Sequence, residues 1–271
     1  MQPSEPTVSI ITAVRNGLPF VEETIESVLS QTYPAIEYIV VDGGSTDGTL
    51  DVVRRNGARI AHWISEPDRG ISDAFNKGLR LASGDYLMFL NADDWLASPD
   101  AITLLVEAAR ARNCPQVIYG DCDLYDRDTR SFLYRASIPY ERAALLGGAA
   151  LPHPGLLTHR DYFNLHGEFD ESFRIAMDYE FFLRGVPQTG AHHVPGLVTN
   201  VRGGGISTRD ENRVVNEIIA ALKKNGYIRS TWAECRMRGY YLSRSFARSL
   251  LGTLGLYEAF SRIRNQRQNK S

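Results

Sequence analysis

Asp93 and Asp94 follow the apolar run 86–90 after Asn91-Ala92. Paired carboxylates at the end of such a run suit a hard divalent cation such as Mg2+ or Mn2+, which prefers a few oxygens completed by substrate phosphates. An ion there would offset the negative charge on a diphosphate leaving group as its bond breaks. Asp93-Asp94 also suits a plain turn ahead of a helix starting near Ser98. Asp42 ends a second apolar run, 37–41, just before Gly43-Gly44-Ser45. Its carboxylate could accept from a nucleotide base or a ribose hydroxyl, or simply form the turn. Asp73 stands near the start of a helical stretch, where the helix dipole alone favours an acid. Asp178 and Glu180 lie in an apolar stretch, 175–184. A carboxylate in such surroundings can take the proton of an attacking hydroxyl, and Asp178 could equally cap the short helix it opens. Arg202 leads three glycines, 203–205, and the loop 202–207 reads either as a turn or as a flap with Arg202 as a phosphate partner. His153 sits in a Pro-Gly-rich loop, where touching an acceptor and a structural role are both open.

Strands and helices alternate ahead of these residues. Residues 8–14, 37–41, 58–64, 86–90 and 116–119 read as strands, and 20–30, 49–55, 71–82 and 98–113 as helices, with Gly84 closing the third and Ser98-Pro99 opening the fourth. That alternation predicts an α/β fold with a mostly parallel sheet and ligands at the carboxyl ends of the strands. The polar clusters fall there: Arg15 and Asn16 after the first strand, Asp42 after the second, Glu66 and Asp68 after the third, and Asn91 to Asp94 after the fourth. Further on, 122–125 and 131–135 flank a hairpin turn, 160–165 and 179–184 read as short helices, 198–201 as a strand and 209–224 as a helix.

The net charge of −2 gives no global pull toward nucleic acid. The N-terminus lacks a signal-peptide pattern, and no apolar run reaches the roughly 20 residues of a membrane span. Cys114, Cys122 and Cys235 show no C-x-x-C pairing, which fits a reducing cytoplasm and argues against zinc. From Arg229 onward nine basic residues face two acidic ones, a local +7 against −9 in the preceding part. Within that tail Leu242, Phe246, Leu250, Leu254, Tyr257 and Phe260 recur three or four apart, with Arg244, Arg248, Arg262 and Arg264 largely off the stripe. The reading divides the chain into a catalytic domain, 1–228, and a basic amphipathic helical tail, 229–271. That tail suits an anionic membrane surface or packing on protein.

The chain resembles the family 2 glycosyltransferases, inverting enzymes of the GT-A fold, over roughly residues 7–207. The resemblance rests on Val8-Ser9-Ile10-Ile11-Thr12-Ala13-Val14-Arg15-Asn16, on Val40-Val41-Asp42-Gly43-Gly44-Ser45-Thr46-Asp47-Gly48-Thr49, on Ser65-Glu66-Pro67-Asp68-Arg69-Gly70-Ile71-Ser72-Asp73-Ala74-Phe75-Asn76-Lys77-Gly78, on Ala82-Ser83-Gly84-Asp85-Tyr86 and Leu90-Asn91-Ala92-Asp93-Asp94, and on Met177-Asp178-Tyr179-Glu180. It implies that Asp42 binds the base, Asp73 lies near base or ribose, Asp93 with Asp94 ligates the metal, and Asp178 is the catalytic base. Two departures stand out: Gly43 replaces the second aspartate common in the family's V-D-D-G-S motif, and Asn91 replaces the first aspartate of its D-x-D element. The stretch 66–78 is similar to members that build bacterial surface polysaccharides. The expected reaction is inverting transfer from a nucleotide-sugar, a UDP-sugar first, to a saccharide or lipid-linked saccharide. The expected place is the cytoplasm, at the inner face of the plasma membrane, and oligomerisation is left open. Two alternative classes are a sugar-nucleotide pyrophosphorylase, which the single glycine in 13–17 argues against, and a non-catalytic sugar-nucleotide-binding protein.

Overall fold

The computed structural model describes residues 5–205 and 210–253, with side chains as far as Tyr241 and at Ser243. The first half is built as β1 (Val8–Val14), α1 (Val21–Leu29), β2 (Ile36–Asp42), α2 (Thr49–Asn56), β3 (His62–Ser65), α3 (Ile71–Leu81) and β4 (Tyr86–Phe89). There follow β5 (Trp95–Leu96), α4 (Ala101–Arg110), β6 (Val117–Tyr125), β7 (Phe132–Ala136), α5 (Arg142–Leu146), β8 (Leu156–His159), α6 (Arg160–His166), α7 (Met177–Leu183), α8 (Val186–Thr189) and β9 (His192–Arg202). Two helices close the described chain, α9 (Glu211–Lys224) and α10 (Thr231–Thr253).

The nine strands form one sheet in the order β3-β2-β1-β4-β8-β6-β9-β5, with β7 on β6. The expected parallel arrangement is the half β3-β2-β1-β4. Beyond β4 the sheet is mixed: β8 runs antiparallel to both β4 and β6, while β6 and β9 are parallel. Period-2 alternation sends Ile11 and Ala13 of β1 into one core, with Phe75 of α3 and Phe181 of α7. Val8, Ile10 and Val14 enter the other, with Ile25 of α1 and Ile102 of α4. The register sets Val14 opposite Asp42 and Asp42 opposite Ser65, so three strands end at one level. The polar residues that follow them are therefore neighbours in space.

Several local expectations are corrected. Residues 57–59 form a 3-10 turn, and β3 starts only at His62. Gly84 does not cap α3, which ends against Ala82. A Cβ at 84 would stand 2.7 Å from Ser9 N and 2.8 Å from Thr7 O, so glycine is needed there for close strand approach. Ser98-Pro99 does not open α4; Asp100 precedes its first residue, and the carbonyls of Ser98 and Pro99 accept from Gln31 and Thr32 at the end of α1. The segments 116–119 and 122–125 are one strand, β6, whose pairing with β9 shifts register around Gly120 and Asp121. The strand expected at 198–201 starts at His192.

The beginning of α10 packs on the domain. Ala233, Met237 and Tyr241 lie against the core, Lys223 pairs with Glu234 at 2.8 Å, and Arg238 donates to Asn216 at 2.7 Å. The apolar stripe expected from Leu242 onward lies outside the described side chains. No described helix is long and apolar enough to cross a membrane.

Candidate active site

The loops after β1 and β2 are laced together. Asn16, at φ 52°, donates its N–H to Ser45 Oγ (2.7 Å) and accepts from Thr46 N–H (2.8 Å) through Oδ1. Gly17 N–H reaches Thr49 Oγ1 at 2.8 Å, and Leu18 N–H reaches Asp47 at 3.0 Å. The Thr49 hydroxyl holds the Asp47 carboxyl below its ordinary range. Asp42 lies at the centre and is fully buried; it accepts from Ser65 Oγ (2.6 Å), Ser45 N–H (3.2 Å) and the Ser45 hydroxyl. Its carboxylate thus organises the turn. Arg15 is exposed on the rim, and a Cβ at Gly43 would lie 3.4 Å from Arg15 Cβ.

Around α3, Asp73 is 4% exposed and accepts from Arg69 N–H (2.9 Å) and Nη2 (3.1 Å), with Lys77 at 3.7 Å. Burial pushes the Asp73 carboxyl up, but the Arg69 bonds and the Lys77 charge outweigh it and hold it below its usual range. Glu66 is exposed and pairs with Lys77 at 2.8 Å.

The end of β4 is held differently. Asp94 is 2% exposed, accepts from Asn91 Nδ2 and Arg202 N–H, each at 3.0 Å, and gives its own carbonyl to Thr24 Oγ1 (2.7 Å). Burial first, then the neighbouring Asp93, pushes its carboxyl up to about 7. Asp93 is partly exposed and accepts from Arg127 Nη1 at 2.6 Å. Arg202 is buried, its guanidinium 4.5 Å from the rings of both Phe20 and Trp95, and it pairs with Glu23. Among the described residues its Nε and Nη1 meet no hydrogen-bond partner. A Cβ at Gly17 would lie 3.7 Å from Ala92 Cβ, so the β1 and β4 loops share one rim. Of the loop 202–207, Gly203 is tied to Tyr125 O at 2.8 Å, and Ile206 and Ser207 lie outside the described residues.

Among the described residues no three His, Cys, Asp or Glu side chains converge as a metal cage. One partly exposed carboxylate, Asp93, suits an ion completed by donor phosphate oxygens. Asp94 has both oxygens turned inward.

Asp178 is in the first turn of α7 and is half-buried, with Oδ1 accepting from Tyr179 N–H at 2.7 Å. The residue at the helix cap is Ala176, which corrects the cap reading of Asp178. The N–H groups of the three residues ahead of α7 go to Glu217 of α9: Arg174 at 3.0 Å, Ile175 at 2.8 Å and Ala176 at 2.9 Å. Glu217 also accepts from Arg213 Nε at 3.0 Å. This carboxylate was not singled out from sequence; its one local signal is the i,i+4 spacing from Arg213. Glu180, two residues past Asp178, is fully buried between Arg184 and Lys224, the latter at 2.8 Å. It is spent on ion pairs in the interior. His153 is 8% exposed, stacks on Phe89 at 5.7 Å, and has no partner for Nε2. Burial lowers its pKa against the opposing charge of Asp178.

The two halves are stitched together by α3. Asn76 exchanges two 2.9 Å bonds with the backbone of Phe169, Ser72 Oγ reaches Phe173 O at 3.0 Å, and Arg69 pairs with Glu171 at 2.8 Å.

Residues 9–163 match the profile described as glycosyl transferase family 2. The chain is 37% identical over 183 residues to an uncharacterised glycosyltransferase of Mycobacterium tuberculosis, covering 67% of this chain and 69% of that one. Its fold is similar to Staphylococcus aureus TarS 1-349 in complex with UDP-GlcNAc, with TM-score 0.62 and 16% identity, covering 92% of this chain and 75% of that one. It is also similar to the mannosyltransferase PcManGT of Pyrobaculum calidifontis in complex with GDP-Man and Mn2+, with TM-score 0.61 and 21% identity, covering 98% and 85%. Both folds are GT-A glycosyltransferase folds, in agreement with the α/β class expected from sequence. These matches set aside the pyrophosphorylase and non-catalytic alternatives. The chain belongs to glycosyl transferase family 2 and is a nucleotide-sugar glycosyltransferase.

Proposed function

We propose that the chain transfers a sugar, with inversion, from a UDP-sugar to a hydroxyl of a saccharide or lipid-linked saccharide in the synthesis of a bacterial surface polysaccharide. The observation that carries this reading is the common level of the strand ends. Asp42 ends β2 level with the ends of β1 and β3, and Asp68 and Asp93 follow β3 and β4 at the same edge of the sheet, with Arg15 and Asn16 beside them. That edge is where open α/β sheets take a nucleotide. The likeness to a protein in complex with UDP-GlcNAc supports the uridine choice, and the GDP-Man complex keeps guanosine in the test.

In this reading Asp178 removes the proton of the acceptor hydroxyl as its oxygen bonds to the anomeric carbon, and the bond from that carbon to the diphosphate breaks. Asp93 would hold Mg2+ or Mn2+, with Asp94 and Asn91 behind it, and the ion would offset the charge on the leaving diphosphate. Asp42 shapes the turn that receives the base, Asp73 and Glu66 fix Arg69 and Lys77 near it, and Arg202 braces the rim at Asp94. The domain 1–228 holds this machinery. The basic tail 229–271 brings it to an anionic inner membrane surface, supported by the local charge of +7.

The test is a panel of UDP-, dTDP- and GDP-sugars, read by thermal stabilisation and by release of nucleoside diphosphate, with and without chelator. One nucleotide class should stabilise the protein, and chelation should abolish release. Asp93→Ala should behave like chelation while keeping the unfolding midpoint. Full release from Asp93→Ala, or indifference to chelator, would overturn the metal assignment.

A further inference from the structure

Gly43 stands where relatives often carry a second aspartate, and the structure shows what fills its place. A Cβ built on Gly43 would overlap Asp68 Oδ2 and lie 2.9 Å from Asp68 Cγ. The Asp68 carboxylate, coming from the loop after β3, therefore occupies the space in which a side chain at 43 would begin. Gly43 itself is buried in the wall after Asp42, and its N–H is spent on Val14 O at 2.8 Å. Asp68 is half-buried and held on one side: Oδ1 accepts from Gly70 N–H at 2.9 Å. No donor among the described residues meets Oδ2 within hydrogen-bonding distance. Arg15 is the other side chain close to that point.

We propose that Asp68 supplies, from the third strand end, the carboxylate that the second strand end lacks, and that its Oδ2 accepts a hydrogen bond from the nucleoside part of the donor. A base N–H or a ribose hydroxyl is the matching chemistry, since an ionised carboxylate is an acceptor only. Glycine at 43 and aspartate at 68 are then one device: no larger residue fits at 43 while Asp68 keeps its position. This inference rests on the donor-site reading and goes beyond it by naming a residue that selects the nucleoside.

The experiment is calorimetric titration of UDP, dTDP and GDP, and of the monophosphate of whichever binds, into wild type and three variants. Asp68→Asn keeps the shape and the Gly70 bond but replaces an acceptor by a weaker or opposed group. It should lower affinity roughly 10- to 100-fold, as expected for a hydrogen bond to a charged group. The loss should be equal for diphosphate and monophosphate, because the contact is to the nucleoside. Asp68→Gly should lose as much, and Gly43→Asp combined with Asp68→Gly should recover most of that loss by returning the carboxylate through the other strand end. Unchanged affinity in Asp68→Asn, or a loss confined to the diphosphate, would overturn the inference. So would a folded double variant no better than Asp68→Gly. If the double variant does not fold, Asp68→Asn still decides. If wild type binds none of the three nucleotides, the donor-site reading falls and this one with it. If wild type binds and Asp68→Asn binds equally, this inference alone falls.

Discussion

In the proposed function the loops after β1 and β2 form the donor side and the turn before Asp178 the acceptor side, and the two are held by different means. On the donor side, Asp42, Asn16 and Asp47 are fixed by hydroxyls and amides from residues 45–49 and 65, in loops that leave adjacent strands at one level. On the acceptor side, the turn before Asp178 is fixed by one carboxylate, Glu217, more than 40 residues downstream on α9. The donor side is a web of many short contacts, whereas the amides that lead into α7 are gathered on one distant carboxylate. Damage should therefore spread differently: donor-side changes should weaken binding, and acceptor-side changes should lower turnover with binding intact.

The largest expected effect is at Asp178. Asp178→Asn should lower transfer roughly 10²–10⁴-fold while calorimetry shows nucleotide affinity unchanged. Loss of nucleotide binding instead would move Asp178 to the donor side and erase the contrast. Next is Glu217→Ala, which strands three backbone N–H groups at the base of α7. It should cut kcat about tenfold and cost roughly 1.5–3 kcal/mol of stability, the scale of charge-assisted hydrogen bonds, with donor KM little changed. An equal fall in donor affinity would show that the anchor serves both sides.

A smaller effect tests the α9 attachment by pH. Burial pushes the Asp170 carboxyl up, but Lys224 and Ser172 outweigh it and hold it at about 2. Its folded pKa lies below the unfolded value of about 3.9. The stabilisation is therefore complete above pH about 4 and lost as pH falls toward about 2. The unfolding midpoint of wild type should exceed that of Asp170→Asn at pH 5, and the gap should close by pH 2. A constant gap would mean that Asp170 acts through shape alone. The smallest effect concerns the tail. Removing residues 242–271 should leave nucleotide affinity unchanged and abolish sedimentation with anionic vesicles at low salt, whereas retained sedimentation would place the membrane contact elsewhere.

The contrast also explains what could be read in advance. The strand ends carrying Asp42, Glu66 and Asp93 were legible because apolar runs and turn residues are local signals. β6 looks like two strands in the sequence because Gly120-Asp121 interrupts its apolar pattern. In space Gly120 lets β6 pass β9 closely, since a Cβ there would meet Gly196 O at 2.9 Å. Ser98-Pro99 carries the local pattern of a helix start, yet its carbonyls are taken by Gln31 and Thr32 at the end of α1. Glu217 was invisible for the same reason: nothing near it in the chain marks three amides on another element.

The stitches between α3 and the segment ahead of α7 make the two regions depend on each other. Asn76, Ser72 and Arg69 bind backbone or side chains at 169–173, and Arg80 pairs with Glu168. The helix bearing Asp73 and the segment that leads to Asp178 are thus cross-tied at four points. A substitution that cuts one of these ties should therefore disturb the surroundings of both aspartates together.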